Sequence, residues 1–136
     1  MTALSPVVAL RKAMRERLLA DATLSAQIGA RVFDVAPRDA AAPWIGFGET
    51  KLRDWSSSSG RGVECLAELV VVSAEPGSRE ALEIAEQATR LLDDAALTLA
   101  GWRLVRLACV ATDARRIEKD RFARVALRFR ALIEQV

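Results

Sequence analysis

The amino-acid sequence predicts an α+β fold: a mainly antiparallel, strongly twisted sheet of about five strands, with two main helices packed on it. Three patterns lead to this prediction, namely an apolar helical stripe within residues 5–20, a second stripe after Gly77, and alternating apolar positions along the other segments. The predicted order of elements is α-β-β-β-α-β-β. A chain of 136 residues, 51% hydrophobic and 28% charged, fits one globular domain over residues 1–136.

The first helix is predicted over about residues 5–20. Ser5 and Pro6 fit the N-cap and the first helical position. The apolar residues that follow recur at spacings of three and four, and they are Val7, Leu10, Met14 and Leu18. The basic residues on the other side are interpreted as a solvated face, and they are Arg11, Lys12, Arg15 and Arg17. Asp21 begins a short further turn that ends at Gly29.

The second main helix opens at Gly77 and Ser78. Its N-terminal half is acidic, which complements the helix dipole. The residues of its apolar stripe are Leu82, Ala85, Ala88, Leu91 and Leu92. Asp93 and Asp94 follow the stripe and are interpreted as a solvated pair at the helix end.

Alternating apolar residues predict the strands, which cover 31–35, 44–51, 63–74, 104–114 and a last segment around 125–133. In the fourth strand, Val105, Leu107, Cys109 and Ala111 are expected to share one face. The turn of the last hairpin is placed at Glu118, Lys119 and Asp120. Strands of eleven to thirteen residues extend ~35 to 43 Å, whereas a helix of sixteen residues covers only ~24 Å. Part of the sheet therefore extends past the helices, which predicts self-association.

Several classes of site are excluded by residue content. The chain has no histidine and only two cysteines, far apart, so no zinc site with ordinary ligand spacing and no Ser-His-Asp or Cys-His centre can be built. Cys65 and Cys109 are interpreted as small buried residues with free thiols. No catalytic residue, cofactor or metal is predicted. No apolar run is long enough to cross a membrane, and the first eight residues lack the pattern of a signal peptide, so synthesis in the cytoplasm is expected.

Charge is distributed unevenly along the chain. Net charge is +3 over residues 1–62, −6 over 63–100 and +5 over 101–136. Faces of opposite sign on one molecule suit contacts between copies. The residues predicted to form an inter-subunit charge face are Glu64, Glu68, Arg124, Arg128 and Arg130. The three arginines leave open a second possibility, a nucleic-acid-binding module.

Trp55 stands out because its surroundings in the sequence are polar. Asp54 precedes it, and four serines follow before Gly60 and Gly62. Large aromatic residues concentrate at binding interfaces, so Trp55 is interpreted as a contact for a partner, with packing on its own sheet as the alternative. The segment of about residues 53–62 is predicted to be a flexible loop.

The chain resembles the small tail-completion, or tail-terminator, proteins of long-tailed bacteriophages and of phage-derived gene transfer agents. The resemblance rests on the order of several short segments over nearly all 136 residues. These segments are the Leu10–Leu19 helix with Asp21-Ala22, Gly29–Asp34, Pro37–Ala40, Pro43–Ile45, Arg53–Ser56, Gly60–Gly62, Leu97–Leu107 and Val125–Leu132.

The resemblance implies a structural protein of the virion or phage-like particle, made in the bacterial cytoplasm. Six copies would form a ring that caps the tail tube, ends its polymerisation and joins the head-side connector at the head-tail junction. DNA would only pass through the lumen, and no membrane or enzymatic activity is implied. Another neck protein, such as a head-completion protein or adaptor, stays open as the alternative. The contact residues with a neighbouring subunit or the tube are expected to be Arg38, Asp39, Arg53, Asp54, Trp55 and Arg61.

Overall fold

A computed structural model describes residues 5–116 and 122–136. It shows a mixed α/β domain with three helices and a six-stranded, curled sheet. The elements are α1 (Pro6–Leu19), α2 (Ala22–Ile28), β1 (Val32–Phe33), β2 (Trp44–Asp54), β3 (Gly62–Pro76), α3 (Arg79–Leu92), β4 (Thr98–Leu99), β5 (Trp102–Arg116) and β6 (Phe122–Gln135). The predicted turn at Glu118–Asp120 lies outside the described residues. No helix in the described part of the chain is long and apolar enough to span a membrane.

The strand order across the sheet is β1-β2-β3-β6-β5-β4. Four of the five neighbouring pairs are antiparallel, whereas β1 runs parallel to β2. The prediction of about five strands in a mainly antiparallel sheet was therefore incomplete, because β4 is a sixth strand and the sheet is mixed. β4 has only two residues, too few to produce a readable alternation. The short turn predicted after Asp21 is a third helix, α2.

One face of the sheet, the covered face, packs against the helices. Every second residue of β6 from Ala123 to Ile133 is buried there, and so are the β3 residues Cys65, Ala67, Leu69 and Val71 that are level with them, whereas Val63 at the end of β3 is half-buried. The apolar residues that the helices contribute to this core are Ala9, Leu10, Ala13, Met14, Leu18, Leu24, Ile28, Ala81, Ile84, Ala85, Ala88 and Leu92. The opposite face, the open face, carries no helix among the described residues. Its residues from Glu64 to Val72 on β3 and from Arg124 to Glu134 on β6 are half-buried or exposed.

Two bulges in β5 correct the predicted faces of that strand. The register against β6 shifts between Leu104 and Arg106 and again between Cys109 and Ala111. Leu107 and Cys109 are level with Ala131 and Phe129 and lie on the covered face as predicted. Val105 falls inside the first bulge and is 47% exposed, and Ala111 is moved to the open face. Each extra residue reverses the alternation that follows it.

Arg11 departs from the predicted solvated face of α1, because its side chain is half-buried, whereas Lys12, Arg15 and Arg17 are exposed as predicted. The Arg11 guanidinium donates to Asp34 Oδ1 (2.9 Å), to the Gly48 carbonyl (3.1 Å) and to Thr50 Oγ1 (2.8 Å). It also lies over the Phe47 ring, 5.4 Å from its centroid. Arg11 therefore fastens α1 to β2 and to the segment after β1.

The other α1 arginines and the acids after α3 also bind backbone. Arg15 donates to the Val32 carbonyl (3.0 Å) and Arg17 to that of Leu91 (3.2 Å). Asp93 Oδ1 accepts from the Cys109 amide (2.8 Å), and the Asp94 amide donates to the Leu107 carbonyl (2.7 Å). Asp93 and Asp94 are both exposed, in agreement with a solvated pair, and they also cover part of the outer edge of β5.

Candidate assembly surface

The segment with four serines forms the tip of the β2–β3 hairpin. The Trp55 amide donates to the Gly62 carbonyl (2.9 Å), and the Ser57 amide donates to that of Gly60 (2.9 Å). Ser56 Oγ donates to Asp54 Oδ1 (2.6 Å) and accepts from the Gly62 amide (3.2 Å). Hydrogen bonds thus close the tip in this conformation. The flexibility of residues 53–62 stays a prediction.

Trp55 lies against Gly62, so part of its ring packs on its own hairpin. A methyl group at Gly62 would come within 2.7 Å of the Trp55 carbonyl and 3.0 Å of the Trp55 ring, which leaves room only for glycine. Trp55 is nevertheless 37% exposed. It borders a groove of about 540 Å³ between the hairpin tip and the ends of β5 and β6. The other lining residues are Ser56, Ser57, Ser59, Gly60, Arg61, Arg103, Glu134 and Gln135.

The groove is held by polar contacts across the strand ends. The Gln135 amide donates to the Arg61 carbonyl (3.0 Å), and Arg103 forms an ion pair with Glu134. Arg53 and Asp54 precede the tip on β2 and are exposed. Arg53, Asp54, Trp55 and Arg61 are therefore brought together, as the sequence predicted.

Arg38 and Asp39 lie apart from this group. They are exposed in the loop that leads into Trp44, where the Ala40 amide donates to the Pro37 carbonyl (3.1 Å). Trp44 and Trp55 are separated by the full length of β2, about 33 Å at 3.3 Å per residue. The five residues from Asp39 to Trp44 can span only about half of that distance. The structure thus places Arg38 and Asp39 far from the Trp55 groove.

The residues of the predicted charge face lie on the open face, and four of the five form ion pairs inside one chain. Glu64 pairs with Arg130 (2.6 Å) and with Arg53 (3.6 Å), and Glu68 lies 4.0 Å from Arg128. These three ion pairs neutralise the middle of the open face. Their use between subunits stays a prediction.

The open face is basic where β5 and β6 approach their shared hairpin. Arg115 lies directly opposite Arg124 in the strand register, and both are exposed. Like charges at opposed positions of a sheet repel each other. Neither arginine has an ion-pair partner among the described residues.

The sheet has an uncovered outer edge on each side. β1 covers β2 only at Ile45 and Gly46, and Arg11 binds the Gly48 carbonyl, so residues 49–54 form a free edge that we name the β2 outer edge. β4 pairs with β5 only at Trp102 and Arg103, the first two residues of β5. Asp93 and Asp94 form hydrogen bonds with the backbone of Cys109 and Leu107 farther along the same edge. Residues 110–116 form the β5 outer edge. Sequence patterns did not identify these edges, because edge status depends on strand order.

Chemical groups suited to catalysis or metal binding do not converge. Within residues 5–116 and 122–136, no group of three or more acidic or thiol side chains is arranged to hold a metal ion. Burial raises the pKa of the Cys65 thiol to about 11, and the charge of Arg11 partly offsets this. A thiol with a raised pKa is a poor nucleophile at neutral pH. Neither Cys65 nor Cys109 forms a disulfide.

Comparison with known proteins agrees with the resemblance seen in the sequence. Residues 12–134 match the family model "Tail completion protein gp17". A solved structure described as "Virion of native gene transfer agent (GTA) particle" contains a chain of 32% identity and TM-score 0.87, and the match covers 94% of this chain and 96% of that chain. No curated protein matches. Since the family model spans most of the sequence, the chain belongs to the tail completion protein family.

Proposed function

We propose that this protein is a structural tail terminator: a ring of six copies that caps the tail tube, ends its polymerisation and joins it to the head-side connector. The observation that carries the proposal is the agreement over nearly the whole chain with the tail completion family and with a chain of a gene transfer agent virion. The protein then resides at the head-tail junction of a phage or phage-like particle. Its partners are other copies of itself, the tail-tube protein and the connector.

The surface chemistry supports a structural role without catalysis. The groove beside Trp55 combines an aromatic side chain with charged groups from the hairpin tip, β5 and β6, as at protein interfaces. In this proposal, Arg53, Asp54, Trp55 and Arg61 contact a neighbouring subunit or the tube. Arg38 and Asp39, a strand length away, contact a different partner.

Deletion of the gene from a producing strain tests the proposal. Tube polymerisation without a cap should give tails of variable length that are not joined to heads, and expression of the intact chain in trans should restore both features. Electron microscopy of tail lengths and head attachment provides the measurement. Unjoined tails of uniform normal length would instead assign the chain to the alternative, a head-completion or adaptor role. Normal joined particles would contradict both roles.

Arg115 and Arg124 favour a second candidate, direct binding to the phosphates of DNA. Both are exposed and lack ion-pair partners in the described part of the chain. Phosphate contacts make binding strongly salt-dependent. Retention of the purified protein on DNA at low salt, and its loss when Arg115 and Arg124 are replaced by Gln, would support this candidate. Equal behaviour of the variant and the parent chain would reject it.

A further inference from the structure

The two uncovered edges run in opposite directions on opposite sides of the sheet. β2, β3, β6 and β5 are successive antiparallel neighbours, so β2 and β5 point in opposite directions. When copies are related by rotation about an axis, β2 of one copy therefore runs antiparallel to β5 of the next. This is the arrangement in which an exposed strand can add to another sheet.

We propose that the β2 outer edge (49–54) of one copy pairs antiparallel with the β5 outer edge (110–116) of the next, which joins the sheets of neighbouring subunits. The inference rests on the proposed ring and names the interface that builds it. Pairing residues 49–54 with residues 110–115 places Lys51 opposite Asp113. In this register, β1 of the copy that contributes β2 lies past Arg116, at the end of the β5 outer edge. β4 of the copy that contributes β5 lies past Asp54, at the end of the β2 outer edge. Neither short strand therefore blocks the contact.

Charge supports this register independently of edge length. Lys51 would face Asp113, and Glu49 would face Arg115 two residues along. Lys51 and Glu49 line one concavity on the open face, and Asp113 and Arg115 line another on the same face. None of the four has an ion-pair partner in the described part of the chain. Pairing between copies provides one for each.

The register also gives a geometry that can close. Within one chain Lys51 is level with Leu66, Arg130 and Ala108. Asp113 follows Ala108 by five residues, one of which is the extra residue of the bulge between Cys109 and Ala111. Pairing Lys51 with Asp113 therefore shifts the next copy by four residues along the strands. That shift is about 13 Å along the strands, and the four strand spacings of one copy together measure about 19 Å across them. The ratio of these two lengths gives a strand tilt of about 35°, which falls within the range of closed barrels. The helices lie outside such a ring and the open face lines its lumen.

Cysteine cross-linking in assembled particles tests the pairing. The chain would carry Lys51→Cys and Asp113→Cys, with Cys109→Ala to remove the half-buried thiol, and Cys65 kept because it is buried. Inside one chain β3 and β6 separate the two positions, which are more than about 14 Å apart and too far for a disulfide. Mild oxidation of purified particles should therefore give a ladder of linked chains. The matched control carries Lys51→Cys with Arg79→Cys, because the Arg79 side chain is 90% exposed on α3. It should give no ladder.

The outcomes separate this inference from the function on which it rests. Particles that contain the chain but show no ladder, or show an equal ladder in the control, would overturn the edge pairing and leave the terminator role intact. Particles that lack the unmodified chain altogether would overturn both.

Charge reversal provides a second test without cysteines. Lys51→Glu opposes two carboxylates, and Asp113→Lys opposes two ammonium groups, so each should weaken association by roughly fivefold per interface. The double variant restores opposite charges and should recover particle assembly. Both positions are exposed, so circular dichroism of the variants should be unchanged. Failure of the double variant to recover beyond either single variant would refute the register.

Discussion

The two faces of the sheet differ in what holds them together. On the covered face, residues of β3 and β6 are apolar and buried against the helices, and the charged Arg11 head group beside them is held by hydrogen bonds. On the open face, half-buried apolar residues alternate with ion pairs such as Glu64–Arg130. Apolar burial dominates folding stability, whereas exposed ion pairs add little. The comparison indicates that the covered face supplies most of the folding stability.

Successive residues of β6 lie on opposite faces of the sheet, so substitutions at neighbouring positions should lower the free energy of unfolding by very different amounts. Phe129 is completely buried on the covered face, and the Arg128 side chain is 59% exposed on the open face. Phe129→Ala should lower the free energy of unfolding by about 4 kcal/mol, because it leaves a cavity in the core. Arg128→Ala should lower it by less than about 1 kcal/mol. Urea denaturation of both variants measures the difference, and equal losses would contradict the assignment of the faces.

The next largest effect is expected at the Arg11 contact beside the covered face. Arg11→Met removes three hydrogen bonds from a largely buried guanidinium while keeping its apolar volume. The Gly48 carbonyl and Thr50 hydroxyl lose their donor, which should cost about 3 kcal/mol of unfolding free energy. Lys12→Met is the matched control, since Lys12 is an exposed neighbour in α1. Thermal denaturation that ranks the control as equally destabilised would contradict the role given to Arg11.

A smaller effect on stability should appear as a dependence on pH. The Cys65 thiol has a pKa of about 11 in the folded protein because of burial, against 9.0 for an ordinary cysteine thiol. Between pH 9 and 11 the unfolded chain loses this proton first, so the free energy of unfolding should fall by roughly 2 kcal/mol as pH rises. Below pH 9 the stability that depends on this thiol is fully retained. Cys65→Ala should show a flatter pH profile over that interval in urea titrations, and an identical slope would refute the assignment.

Sequence patterns predicted elements whose side chains alternate regularly. The stripe of α1 and the alternation of β3 and β6 identify most of the apolar residues that these elements give to the core. The stripe predicted for α3 was partly wrong, because Leu82 is 39% exposed whereas Ala81 and Ile84 are buried. Alternation failed in β5, because two bulges change which face Val105 and Ala111 occupy, and no local signal marks a bulge there. β4 and the parallel pairing of β1 depend on contacts between segments distant in sequence, which periodicity does not encode.

The candidate site was predictable only in part for the same reason. The residues around Trp55 were grouped correctly because they adjoin in sequence, and one hairpin holds them. Arg38 and Asp39 were grouped with them from the resemblance, but β2 separates the two sets. Glu49, Lys51 and Asp113 were missed, since only the strand order shows that their strands have free edges.

Trp55 should give the smallest effect on stability and the clearest effect on assembly. Its ring packs mainly on Gly62 at the hairpin tip, so Trp55→Ala should cost only about 1 kcal/mol of unfolding free energy. If the exposed part of the ring contacts a partner, the same variant should reduce the yield of joined particles strongly, because large aromatics dominate interface energies. Trp55→Phe keeps most of the apolar surface and should retain most of that yield. Normal particle yield from Trp55→Ala would mean that Trp55 serves only its own hairpin, and assembly would then depend on the sheet edges without the groove.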